Sequence, residues 1–197
     1  GRKSLAVNMS DIAAMGGTPK EATISIAIPD TVDLDYLDAF YDGMKAMAKE
    51  FEVNLLGGDT TSSPGPLIIN IALVGEAREE EVLYRSGAKV GDVVFLTGPV
   101  GSAAAGLDII LKERESDEWK ELIEAHHNPY PQIKTGRIIA SMKVANSLID
   151  VSDGVAADLG HICTDSKLGA IIEEEMIPTT AQFRAYCAKF QEDSRHL

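Results

Sequence analysis

Apolar positions recur at helical spacing from Lys3 to Met15, and the run closes on Gly16-Gly17 with Pro19 just beyond. That is the pattern of a helix with a glycine stop. "ATISIAI", residues 22–28, alternates and is rich in β-branched residues, so it reads as a strand, broken by Pro29-Asp30-Thr31. From Asp33 to Phe51 the period returns to that of a helix, with Leu34, Leu37, Phe40, Tyr41, Met44 and Met47 along one face. Residues 53–58 form a short strand ending in Gly57-Gly58, and residues 67–75 form another.

A polar stretch from Glu76 to Ala88 marks the expected boundary between two parts, 1–78 and 79–197. Beyond it the pattern predicts a strand at 92–98 and a helix in "VGSAAAGLDIILKE" after a Gly-rich turn. Helices near 117–125 and 131–146 follow, the second opening close to Pro131. Then come a strand running into Asp150, a helix from Val155 to Ser166, a strand at 170–175 and a last helix from about Thr180. The expected fold class is mixed α/β (α+β) in two parts, without internal repeats. Runs such as Glu79-Glu80-Glu81 and Glu173-Glu174-Glu175 read as solvated surface.

Composition narrows the choice of partner. With 45% hydrophobic and 25% charged residues in 197, the chain has the make-up of a globular protein with a real core. A net charge of −13 argues against nucleic acid or an anionic membrane as the main partner, since both need a basic footprint. A phosphorylated small molecule remains open, provided metal ions mediate the contact. Cys163 and Cys187 lie far apart without metal-ligand spacing and read as reduced thiols of a cytosolic protein. No apolar run approaches a membrane span, and no signal peptide is expected. The chain starts inside a helical pattern and stops on a charged helical tail, so a fragment lacking both ends is expected.

Aspartates stand where local structure does not ask for them. Asn8 and Asp11 are one turn apart in an otherwise apolar helix, and a carboxylate buried there needs a cation or N–H donors. The alternative is an exposed stripe on a half-buried helix. In "LLGGDTT", residues 55–61, the glycines would let backbone N–H groups approach a phosphate, and Asp59 would hold a bridging metal. A plain Gly-Gly-Asp turn is the bland reading, and no Walker-type Gly-Lys-Ser/Thr follows. Arg85, beside Ser86-Gly87, suits a bidentate phosphate clamp, the alternative being an ordinary surface arginine in a loop. In "IDVSDGVAADLGHI", Ser152 or Asp153 would cap the following helix, which leaves Asp150 unexplained. Strand-end carboxylates beside a helix start are a common layout for magnesium with phosphate. His161 reads as a packing histidine with Asp158, one turn before it, as partner. Many hard oxygen ligands, glycine turns and one arginine, with no Ser–His–Asp order, suit magnesium-dependent phosphoryl transfer, which needs positioning and charge neutralisation more than a base.

The blocks "AVNMSDIAAMGGTPK", "LLGGDTT", "RSGAKVGD", "TGPVGSAAAGL", "NPYPQIKTGRIIA" and "IDVSDGVAADLGHI" resemble, in order, those of the thiamine-monophosphate kinase family. That family belongs to an ATP-binding superfamily with aminoimidazole ribonucleotide synthetase, selenophosphate synthetase and HypE. The resemblance implies ATP-dependent phosphorylation of thiamine monophosphate to thiamine diphosphate, several Mg²⁺ ions and a cytoplasmic homodimer paired through its N-terminal sheets. By motif match it makes Asp11, Asp59, Asp150 and Asp153 magnesium ligands. Gly58, Asp59, Arg85 and Ser152 would contact ATP, and Tyr41 falls where the family places a nucleotide-contacting aromatic. No further catalytic side chain is implied, because the attacking phosphate oxygen is already anionic. Two features of the family, an upstream acidic segment and a downstream Gly-Gly-Glu-Asp block, are not in this sequence, and "TTSSPGPL" lacks an arginine often found there. The chain on its own is therefore expected to be catalytically impaired. The competing readings are another ATP-dependent member of the superfamily, HypE-like or aminoimidazole ribonucleotide synthetase-like, and a non-catalytic nucleotide-binding or dimerising module.

Overall fold

The computed structural model describes residues 1–195, and residues 196–197 at the end of the expected second part lie outside it. The first half is α1 (Arg2–Ala14), β1 (Thr18–Ile28), α2 (Leu34–Glu50), β2 (Asn54–Ser62) and β3 (Ile68–Glu76). The strands form one sheet in the order β2-β1-β3, with β2 parallel and β3 antiparallel to β1. The alternation of β1 works as its sequence suggests. Ala22, Ile24 and Ile26 are buried, while Thr23 and Ser25 face outward. Their neighbours Ile69, Ile71 and Leu73 on β3 share the inner side, where Leu5, Met9 and Ala13 of α1 and Phe40, Met44 and Met47 of α2 complete the core. Asp33 starts α2 by accepting the Tyr36 N–H at 2.8 Å.

β2 differs from the sequence expectation. It runs on through Gly57-Gly58-Asp59 to Ser62 instead of stopping at the glycines. A bulge at Leu56 lets the strand resume its pairing with β1, setting Gly58 opposite Ile24 and Asp59 opposite Ser25. A Cβ on Gly58 would lie 1.6 Å from the Ile24 carbonyl oxygen, so only glycine allows this approach.

The second half holds α3 (Ser102–Leu111), α4 (Lys120–His127), α5 (Ile133–Met142), α6 (Val155–Ser166) and α7 (Ala181–Phe190). Ala105, Ile109, Trp119, Leu122, Phe183 and Tyr186 make a second core from α3, α4, α7 and the 3-10 turn before α4. The strands expected at 92–98, before Asp150 and at 170–175 do not form; among the described residues this half has one isolated parallel bridge, Val100 with Thr179. Among the described residues no neighbouring strand meets their backbone, and the last of these segments runs into a 3-10 turn at Glu174–Met176. The helix expected over 131–146 stops at Met142, where Lys143 turns left-handed with φ 54°.

α5 belongs in sequence to the second half yet packs on α1. Gly136 brings it so close that a Cβ there would lie 2.2 Å from the Ala13 oxygen, and Ile133 joins the first core. Arg137 then donates to the Gly16 carbonyl at 2.8 Å and pairs with the buried Glu81 at 3.0 Å. This clasp fixes the chain between the halves against the end of α1.

Candidate functional site

The clasp determines where Arg85 goes. Glu81 is held by Arg137, and the Leu83 N–H donates to the Met15 carbonyl at 3.2 Å, so the next residues run back along the end of α1. The Leu148 N–H donates to the Tyr84 carbonyl at 3.0 Å, which lays the segment leading into Asp150 beside Arg85. Asn146 adds bonds of 3.0 Å to both Asp92 carboxylate oxygens, and Asp92 also accepts the Lys89 N–H at 2.8 Å. From α6, the Ser166 hydroxyl accepts the Gly87 and Ala88 N–H groups, each at 3.1 Å, and donates to the Arg85 carbonyl at 3.4 Å. The Arg85 loop is thus laced from both sides.

The result is a group of three charges from three distant parts of the sequence. Asp11 lies at the surface of α1, and neighbouring protein removes part of its water, which raises its carboxyl pKa. The nearby Asp150 carboxylate raises it further, and the Arg85 guanidinium opposes both. Two acidic groups that repel each other beside an arginine are short of positive charge. A hard divalent cation with phosphate oxygens would supply it.

The loop after Asp150 is organised by a residue that the sequence reading gave another role. Asp158 is 3% exposed, and its Oδ2 accepts the N–H groups of Ser152, Asp153 and Gly154 at 2.9, 3.1 and 3.2 Å. Neither Ser152 nor Asp153 caps α6; Gly154 stands at that position without a side-chain cap. Asp158 is therefore not the partner of His161, which is exposed on α6. The signal that would have found it is an aspartate in the first turn of a helix following a polar loop, placed to reach back to the loop's N–H groups. The side chains of Asp153 and Ser152 face solvent, and Asp150 is half-buried.

The other candidates have contacts of their own. Asp59 shares the outer sheet face with Ser25 and accepts the Thr60 N–H at 3.0 Å. Tyr41 is partly buried on α2, edge-on to Phe40 with ring centroids 5.3 Å apart. Asn8 donates to the Ser4 carbonyl one turn back, at 2.8 Å, and so is spent within its own helix. Among the described residues, no three His, Cys, Asp or Glu side chains converge as a metal-binding set. The donors fit a metal only in part: their chemistry suits magnesium, but phosphate or water oxygens would have to fill out its shell.

Comparison with known proteins identifies the family. Residues 1–77 match the N-terminal domain of AIR synthase related proteins and residues 89–192 match their C-terminal domain. The chain belongs to the AIR synthase related family. Within that family it is similar to thiamine-monophosphate kinase of Bacillus subtilis (strain 168), 41% identical over 182 residues, which are 90% of this chain and 56% of the relative. The Escherichia coli (strain K12) thiamine-monophosphate kinase is 40% identical over 89% of this chain and 54% of its own length. The chain spans little more than half the length of these relatives. Among solved structures, AaThiL complexed with AMPPCP and TMP superposes with a TM-score of 0.91 at 34% identity, over 98% of this chain and 61% of that one. HypE from E. coli has a TM-score of 0.84 at 17% identity, a likeness of fold alone.

Proposed function

We propose that this chain carries the nucleotide- and metal-holding part of a thiamine-monophosphate kinase. In the reaction, a phosphate oxygen of thiamine monophosphate attacks the γ-phosphorus of ATP, giving thiamine diphosphate and ADP. The observation that carries the reading is that the backbone bond between Leu148 and Tyr84 lays the Asp150 and Arg85 segments side by side, near enough to Asp11 for both charges to act on it, in a chain about 40% identical to enzymes of that name. Arg85 clamps phosphate oxygens and offsets the repulsion between the two anionic substrates. Asp11, Asp59, Asp150 and Asp153 hold magnesium, and several ions serve the four positions. Bound magnesium neutralises phosphate charge. Gly58 and Ser152 contact ATP along the strand and the loop, and Tyr41 lies on its nucleotide side. No side chain acts as general base, because the nucleophile is already an anion.

The two working parts are 1–78 and 79–197, and the enzyme is a cytoplasmic homodimer. Pairing through the sheet is supported by Ile68 and Val74, 54% and 63% exposed on its uncovered face. No helix among the described residues is long and apolar enough to cross a membrane.

Calorimetric titration of a non-hydrolysable ATP analogue, with and without Mg²⁺, tests the reading on this chain and on an Asp150→Asn/Asp153→Asn variant. Magnesium-dependent binding that the variant loses is the expected result. Equal binding by both proteins, or none by either, would sink the assignment of these aspartates.

A further inference from the structure

The acidic loop between Ile149 and α6 has an unusual support. One carboxylate oxygen, Asp158 Oδ2, receives three consecutive backbone N–H groups, those of Ser152, Asp153 and Gly154, within 3.2 Å. The carboxylate is 3% exposed, although almost everything around it in sequence is open to solvent. Gly154 has φ 119°, so the chain makes its turn into α6 with a backbone that an ordinary side chain would strain. Such a turn needs an anchor, and Asp158 provides it from inside the helix. With the backbone bonds satisfied this way, the carboxylates of Asp150 and Asp153 are left free of capping duty.

We infer that Asp158 is a positioning residue: its buried carboxylate holds the backbone from 152 to 154 so that Asp150 and Asp153 present their oxygens to a divalent cation. The inference rests on the magnesium reading above and extends it by one residue, which touches neither metal nor substrate. Groups that orient metal ligands from behind are worth about 10- to 100-fold in metal affinity. An aspartate that merely closed a loop would change stability without changing cation affinity.

The test titrates Mn²⁺ into the ¹⁵N-labelled chain and follows paramagnetic broadening of the amides from 149 to 154. Wild type, Asp158→Asn and Asp158→Ala are compared. Asparagine keeps the shape and one accepting oxygen, whereas alanine leaves three N–H groups without their acceptor. The expected order of affinity is wild type, then Asn, then Ala, with alanine at least about tenfold weaker. Faster hydrogen exchange at residues 152–154 should follow the same order. Equal Mn²⁺ affinity in wild type and Asp158→Ala would overturn this inference alone. No broadening near Asp150 in the wild-type chain would overturn the magnesium reading and this inference with it. Were the alanine variant not to fold, Asp158→Asn decides: an affinity equal to wild type overturns the inference.

Discussion

His126, near the end of α4, has the Lys3 ammonium 3.4 Å from its Nε2, and Lys3 also donates to the His126 carbonyl at 2.6 Å. Partial burial lowers the His126 pKa first, Lys3 and His127 lower it further, and a backbone bond at Ala103 works the other way. The neutral ring is therefore the form that the fold prefers. A group with a depressed folded pKa and an unfolded value near 6.5 binds more protons when unfolded. Its contribution is complete above that pH and is lost as pH falls from there through the lowered folded value. The wild-type melting temperature should thus decline on acidification through that window more steeply than that of His126→Gln. The difference should be worth less than about 1 kcal/mol, since the ring is only half-buried. Parallel curves for the two proteins would show that the fold does not depress the His126 pKa. Asp11 shows the opposite sign: with its pKa raised by partial burial and by Asp150, its charge is a burden to the fold at neutral pH.

At the scale of elements, the joint between α1 and α5 makes a sharp prediction. Replacing a helical glycine by alanine normally stabilises a helix by about 1 kcal/mol. At Gly136 the added Cβ would lie 2.2 Å from the Ala13 carbonyl oxygen, so the sign reverses. Gly136→Ala should lose roughly 1–3 kcal/mol in urea unfolding and weaken the Arg137–Gly16 bond that leads the chain toward Arg85. An unchanged or raised midpoint would mean that α5 does not press on α1. Nothing in the local pattern of "IKTGRIIASM" announces this contact, because glycine at a helix–helix crossing looks the same in sequence as glycine in a loose helix. What the pattern did reveal were the helices and the inner face of the first sheet, from Ala22, Ile24 and Ile26 against Met44 and Met47. It missed the continuation of β2 through Gly57-Gly58, since turn residues also serve a bulged strand whose backbone lies hard against its neighbour. Of the site, Asp11, Arg85 and Asp150 were legible as residue types out of place. Their meeting was not, because it depends on Leu83, Leu148 and Ser166 bonds that bridge long stretches of chain. The role of Asp158 was hidden by the more obvious histidine at i+3.

For the molecule as a whole, the second half leaves its most open apolar side chains on segments without a partner. The first closes its core between one sheet face and two helices. In the second, Val90, Val93 and Phe95 are 90%, 72% and 85% exposed, and Ile171 and Met176 are 90% and 77% exposed. Val93, Phe95 and Ile171 come from segments that the sequence marks as strands, Val90 and Met176 flank them, and a strand without neighbours leaves both its side chains and its backbone groups in water. Open apolar surface of this kind binds hydrophobic dyes and drives association. The chain should therefore enhance the fluorescence of anilinonaphthalene sulfonate while giving a single cooperative melt, unlike a molten globule, which lacks fixed packing. A Val93→Thr/Phe95→Lys variant should lower that fluorescence and the concentration dependence of light scattering. Its stability should stay within about 0.5 kcal/mol of wild type, because side chains already in water have little packing to lose. A loss several times larger would show that Val93 and Phe95 are packed in solution, and that the segment from 92 to 98 has found the partner its sequence calls for.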